Sequence, residues 1–321
     1  MLDDVGWSDF SYMGGTIPTP FFDSLATDGA RAVHFRELYA APTCTPSRAS
    51  LLTGRYAGNT GLPWVIMPGS LVGLPKDMPT MPQLLRKHAG YRAHMVRDHC
   101  LCRFKNQRVF DFSRIHRLPA CLPAFIIQHS QVGKWHLGHA QNRSTPVGRG
   151  FESHVGCLMY DLDSWSKEFH KDPVSVLAAD WGRHFENGTS HHFIDRRHAT
   201  EAITAEAEAR IREHRRAQED ARLALSNDVA AAAAASAPLF LYVAYTAPHS
   251  PLQPLAHHTR RCAHLAEKWR RDYCGMLVGA EEGVWNITET ARRELGDNVV
   301  LVVQVWARRV SVRLYDRAAW F

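Results

Sequence analysis

The run Leu239 to Tyr245 is wholly apolar, follows Pro238, and passes directly into the polar turn Thr246-Ala247-Pro248-His249. A short apolar run bounded in this way reads as a buried strand of a parallel sheet, and such sheets place functional loops where their strands end. Val299 to Val305 has the same character, and Tyr91 to Val96 reads as a third strand. Between them lie helical patterns. Phe22 to Gly29 is closed by glycine, Ser47 to Thr53 begins just after Cys44-Thr45-Pro46, and Met81 to Ala89 stops at Gly90. Asp195 to Leu225 and Tyr273 to Leu295 are longer and richer in Ala, Glu and Arg. Strands alternating with helices predict an α/β domain with a central, mostly parallel sheet flanked by helices. No internal repeat interrupts that organisation.

Composition narrows the function classes. The 321 residues are 45% hydrophobic and 22% charged, an ordinary globular balance, and the formal net charge is +6. The doublets Arg196-Arg197, Arg215-Arg216, Arg260-Arg261 and Arg308-Arg309 are scattered and many neighbour acidic residues, so solvated helix faces are expected and nucleic acid is not an expected partner. No apolar run is long enough to span a membrane, and a chain opening Met1-Leu2-Asp3-Asp4 reads as one without a signal peptide. Seven cysteines are too few for a disulfide scaffold, and the odd number leaves at least one without an intramolecular partner, for which Cys44 is the candidate. Asn142, Asn187 and Asn286 stand in Asn-x-Ser/Thr triplets, acceptors for glycosylation in a secretory compartment.

Four segments carry chemistry. Cys44-Thr45-Pro46-Ser47-Arg48 leads into a helix, whose N-terminus concentrates free N–H groups and favours anions. Taken alone, the cysteine would be a small buried hydrophobe. Gly133-Lys134-Trp135-His136-Leu137-Gly138-His139 sets a lysine and a histidine two residues apart, on the same side of an extended chain. Ala247-Pro248-His249-Ser250-Pro251-Leu252-Gln253 is the turn after the apolar strand, and Asp3-Asp4-Val5-Gly6-Trp7-Ser8-Asp9 offers paired hard oxygen ligands.

Together these segments resemble the sulfatase family. Thr60-Gly61-Leu62, Arg149-Gly150-Phe151 and Tyr273-Cys274-Gly275-Met276 fit its arylsulfatase B-like branch. The resemblance implies an alkaline-phosphatase-like fold, represented by its N-terminal catalytic region, and an enzyme that cleaves sulfate esters of sugars or arenes. Cys44 would be oxidised by a formylglycine-generating enzyme to formylglycine, whose hydrate is a geminal diol able to attack sulfur. A calcium ion would be held by Asp3, Asp4 and modified Cys44, with Arg48, Lys134, His136 and His249 around the sulfate and His249 as general acid. The family also implies a secretory, lysosomal or extracellular location.

The pattern is incomplete. Residues 1–305 are expected to form a partial catalytic domain, with 97–131 a non-family insertion, 226–237 an alanine-rich linker and 306–321 a non-family tail. The family's later Asp-Asn pair should follow the strand Val299 to Val305, where Trp306-Ala307 stands; Asp297-Asn298 precedes that strand and lies at its wrong end. An inactive fragment or pseudoenzyme that binds sulfated glycans through Arg48, Lys134 and His249 is therefore the alternative reading.

Overall fold

The computed structural model describes residues 1–29, 32–35, 38–88, 128–159, 163–166, 181–185, 190–192, 195–223, 238–305 and 312–315. Its helices are α1 (Pro20–Thr27), α2 (Cys44–Thr53), α3 (Met81–His88), α4 (Ala199–Leu223), α5 (Ala256–Arg260) and α6 (Lys268–Leu295). Its strands are β1 (Ala32–His34), β2 (Gln128–Gly133), β3 (Ser153–Cys157), β4 (Trp181–Phe185), β5 (Ser190–His192), β6 (Leu239–Ala244), β7 (Leu301–Gln304) and β8 (Val312–Tyr315). The strand expected at Tyr91 to Val96, the linker 226–237, Asn187 and Trp306-Ala307 lie outside the described residues.

One five-stranded sheet runs in the order β5-β4-β3-β2-β6 and a three-stranded sheet in the order β1-β8-β7. Met1 and Leu2 stitch them together. The Met1 carbonyl accepts from Tyr245 N–H at 3.0 Å, the Leu2 N–H donates to the Gln304 carbonyl at 3.0 Å, and Leu2 forms a parallel bridge with Val305. The centre is parallel, since β2 pairs parallel with both β3 and β6, whereas β4, β5, β8 and β1 join antiparallel at the two sides. The fold is thus the expected α/β class with a mixed sheet, parallel where the candidate loops emerge.

Strand alternation divides the core into two layers. On β6, Leu241 and Val243 pack with Ile203 of α4, Leu277 and Val278 of α6, Phe22 of α1 and Val132 of β2. Tyr242 and Ala244 point the other way, to Leu52 of α2, Trp135, Leu137 and Phe151. The long helix α4 packs against both β2 and β6 through one apolar face, as an amphipathic helix does.

Several boundaries differ from expectation. The helix expected from Ser47 begins at Cys44, with Thr43 extended before it, because Pro46 is tolerated in a first turn that has no N–H partner to lose. Gln128 to Gln131, assigned to the insertion, form most of β2 at the sheet centre, so the boundary expected at 131 falls inside a strand. In β7 only Val303 is buried; Val302 is 45% exposed, so this strand is not covered on both faces. Cys262 and Cys274 form a disulfide between the turn after α5 and α6, a pairing that sequence analysis did not anticipate. Cys44 is free, as expected. Of the glycosylation triplets, Asn142 is exposed while Asn286 sits half-buried within α6.

Buried Glu281 of α6 ties that helix to the start of α1, where its Oε1 accepts from the N–H groups of Phe21 at 2.8 Å and Phe22 at 3.2 Å. These are donors that a first helical turn leaves without partners. Burial, partly opposed by these two bonds, raises the carboxyl to about 7. A pKa raised on folding adds stability that is complete below the ordinary glutamate value and is lost as pH rises through about 7. The unfolding midpoint is expected to fall between about pH 5 and pH 8, and Glu281→Gln to flatten that limb. A flat wild-type profile over this range would contradict the assignment.

Candidate active site

Parallel strands deliver their loops at one end of the sheet, and the chain uses that end four times. Asp3 follows the Met1-Leu2 segment, Lys134 follows β2, His249 follows β6, and Val305 follows β7 beside Leu2. Asp297-Asn298 precedes β7 and so lies toward its opposite end, as the sequence indicated. Gly133 makes the exit from β2 possible: its φ is 99°, and a Cβ there would collide with the Ala244 carbonyl of the neighbouring strand.

Three charges meet inside this end. Lys134 Nζ donates to Asp3 Oδ2 at 2.6 Å, and Arg48 Nη2 lies 3.4 Å from Asp3 Oδ1. Arg48 also donates through Nη1 to the Lys134 carbonyl at 2.6 Å, which fixes α2 against the β2 exit. All three side chains are buried, with at most 1% of the surface exposed. Burial opposes ionisation of Asp3, but the Lys134 and Arg48 charges, with a smaller contribution from His249, outweigh it and hold the carboxyl well below the usual carboxylate range. Within the buried triad two cations face one anion, with the more exposed Asp4 carboxylate beside them, and in such a dehydrated place a cation attracts an oxyanion more strongly than in water.

Cys44 opens α2 at 3% exposure. Burial pushes its thiol upward, and Asp3 adds to this, while Lys134 and Arg48 pull the other way. The net shift is upward, so the unmodified side chain stays a thiol and is a poor nucleophile. Thr45 next to it donates to the His136 carbonyl at 3.0 Å and accepts from Ile66 N–H at 3.2 Å. It thereby joins α2 to both neighbouring segments. Nothing local to its position distinguishes Thr45 from a helix residue facing solvent, so the sequence carries no signal of this role.

His136 departs from the extended geometry expected of it. Its φ is 58°, and its buried ring places Nε2 3.0 Å from the Ile66 carbonyl. Burial, reinforced by Lys134, lowers its pKa well below the ordinary histidine value and keeps the ring neutral. His249 Nδ1 lies 2.7 Å from the Ser250 carbonyl, and its Nε2 is 3.6 Å from Asp4 Oδ2. Asp4 adopts φ 65°, and burial followed by the Asp3 charge raises its pKa, against the pull of His249, Lys134 and Arg48. The expected residues are thus brought together in two linked groups, Asp3-Lys134-Arg48 beside Cys44, and Asp4-His249.

The calcium site is a different matter. Calcium takes about six to eight oxygen ligands. Among the described residues no three His, Cys, Asp or Glu side chains are grouped to hold a metal, and both Asp3 oxygens already face cations. The donors present here do not fit a calcium ion. Elsewhere, His258 is buried with Nε2 3.4 Å from a Glu282 carboxylate oxygen.

A family model described as Sulfatase matches residues 1–121. Arylsulfatase J of Mus musculus is 30% identical over 295 residues, which are 91% of this chain and 39% of its own length. N-acetylgalactosamine-6-sulfatase of Canis lupus familiaris is 27% identical over 268 residues, 78% of this chain and 39% of that protein. This chain therefore spans about two fifths of the length of either relative. The crystal structure of Ps i-CgsB in complex with k-i-k-neocarrahexaose superposes with a TM-score of 0.70 at 21% identity, covering 98% of this chain and 64% of that one, a likeness of fold.

Proposed function

This chain belongs to the sulfatase family, and from that premise we propose that it is the catalytic portion of a sulfuric ester hydrolase acting through Cys44 converted to formylglycine. The observation that carries the reading is the buried Asp3-Lys134-Arg48 cluster beside the first turn of α2. It supplies two buried cations next to the only side chain there that the family motif marks for modification. When present, hydrated formylglycine supplies an oxygen nucleophile and a way to expel sulfate by reforming the aldehyde.

The chain's own residues do the rest. Lys134 and Arg48 hold sulfate oxygens by charge and charge-assisted hydrogen bonds, and these strengthen as negative charge builds in the transition state. Asp3 orients both cations in the absence of substrate. His249, set against Asp4, donates a proton to the departing alkoxide or phenoxide oxygen. Neutral His136, held by Ile66, borders the site as a hydrogen-bonding group. Because the donors do not fit calcium, no step is assigned to a metal. Cys44 is buried in the folded chain, so the formylglycine-generating enzyme has to reach it before α2 packs. The Cys262–Cys274 disulfide suits an oxidising compartment, which supports a secretory, lysosomal or extracellular location. No described helix is long and apolar enough to cross a membrane. The substrate class is a sulfated sugar or arene, in line with the amino-sugar sulfatase among the relatives.

The test is sulfate release from an aryl sulfate by protein co-expressed with a formylglycine-generating enzyme, with mass spectrometry of the Cys44 peptide. Aldehyde at Cys44 together with turnover is the expected result. Fully unmodified Cys44 with binding of sulfated glycans and no turnover would replace this reading by that of a pseudoenzyme, which the tied-up Asp3 makes the relevant rival.

A further inference from the structure

The loop after β6 is fastened at its far end. Gln253 stands four residues beyond His249, Pro251 restricts φ between them, and Pro248 and Pro254 flank the stretch on either side. The short, proline-interrupted stretch is the path by which a displacement at Gln253 would reach His249.

Gln253 uses both ends of its amide. Oε1 accepts from Ser164 N–H at 2.8 Å, and Nε2 donates to Asp163 Oδ2 at 2.6 Å. Asp163 is itself aimed, because its Oδ1 accepts from the N–H groups of Trp165 at 2.9 Å and Ser166 at 2.7 Å. Burial works against its ionisation, but the bonds from Gln253, Ser166 and Trp165 outweigh it and hold the carboxyl below the usual carboxylate range. The Gln253 carbonyl lies 2.7 Å from His198 Nε2, and the Ser164 carbonyl accepts from Ala199 N–H at the start of α4. Asp163, Ser164 and His198 are buried. The 163–166 segment is therefore clamped between the α4 N-terminus and the His249 loop, although its contact with Gln253 spans 90 residues of sequence.

We propose that the Asp163–Gln253 hydrogen bond is a latch that positions His249 against Asp4, making both latch members positioning residues for the proton donor. The proposal rests on the sulfatase reading for the role of His249, but the latch itself has a readout that does not. Gln253→Glu sets two carboxylates face to face; Asp163→Asn sets two amides together. The double variant Asp163→Asn/Gln253→Glu restores one N–H···O bond with its direction reversed, and the new carboxylate still accepts from Ser164 N–H.

Amide hydrogen exchange over residues 246–250 is expected to quicken in each single variant and return toward wild type in the double. With formylglycine-bearing protein, kcat on an aryl sulfate should fall by about 10- to 100-fold in the single variants at little-changed KM, and recover in the double. Gln253→Met, which removes both bonds without adding charge, serves in place of Gln253→Glu if that variant does not fold. Unchanged exchange in folded single variants, or a folded double variant as loose as the singles, overturns the latch. Faster exchange rescued by the double in a protein with no turnover at all keeps the latch and removes the sulfatase reading.

Discussion

Cys44→Ala is expected to lower turnover of an aryl sulfate by about four orders of magnitude, because the nucleophile and its regeneration both disappear together. The fold should survive, since a small side chain replaces another in the first turn of α2, and circular dichroism with thermal unfolding would confirm it. Cys44→Ser sharpens the test. A single hydroxyl can accept a sulfuryl group but cannot release it by forming an aldehyde, so this variant should at most sulfate itself once. Quantifying released sulfate per protein would reveal this. Sustained turnover in either variant would remove Cys44 from the mechanism.

The largest effect on stability is expected from Asp3→Ala. Lys134 and Arg48 would then face one another with at most 1% of their side chains exposed and no anion between them. Removing one partner of a buried ion cluster costs about 3–5 kcal/mol, against a total stability of about 5–15 kcal/mol for a typical domain. Urea unfolding measures the loss. The double variant Asp3→Ala/Lys134→Met should recover part of it, because one buried charge is then left in place of two. Asp3 also predicts a limb in the pH profile. Its pKa is depressed on folding, so its contribution is complete above the ordinary aspartate value and is lost as pH falls through the lower, folded value. This lies in strong acid, well separated from the Glu281 limb, which runs the opposite way near neutrality. An Asp3→Ala protein as stable as wild type would mean that Lys134 and Arg48 find other partners, and the triad would not be the organising charge of the site.

These two predictions differ in how far the sequence alone could carry them. Cys44 is legible from its own neighbours. Pro46, Ser47 and Arg48 follow it, Gly54 closes the helix with φ 67°, and the motif names the chemistry before any fold is known. Asp3 was legible as an acidic residue and a metal candidate, and the structure gives it another occupation. The difference is one of range. Its partners lie 45 and 131 residues away, and no local pattern says which of several cations a buried carboxylate will meet. The same holds for His136. Its spacing from Lys134 implied a shared side of an extended chain, but the left-handed turn depends on the Ile66 carbonyl that its ring meets 70 residues distant.

The unbroken apolar run 239–244 determines a strand packed on both faces, and the turn after it determines that His249 emerges at a strand end. The amphipathic runs determine α4 and α6 to within a few residues, because helix and strand periods are written locally. Closure of the sheet decides what these elements then share. Only when Met1 and Leu2 lodge between β6 and β7 do Asp3, Lys134 and Arg48 become a buried triad. Only when the 163–166 segment docks on α4 does Gln253 find Asp163. Charge pairing and hydrogen bonding at such distances are set by packing and desolvation, and those exist only in the folded chain.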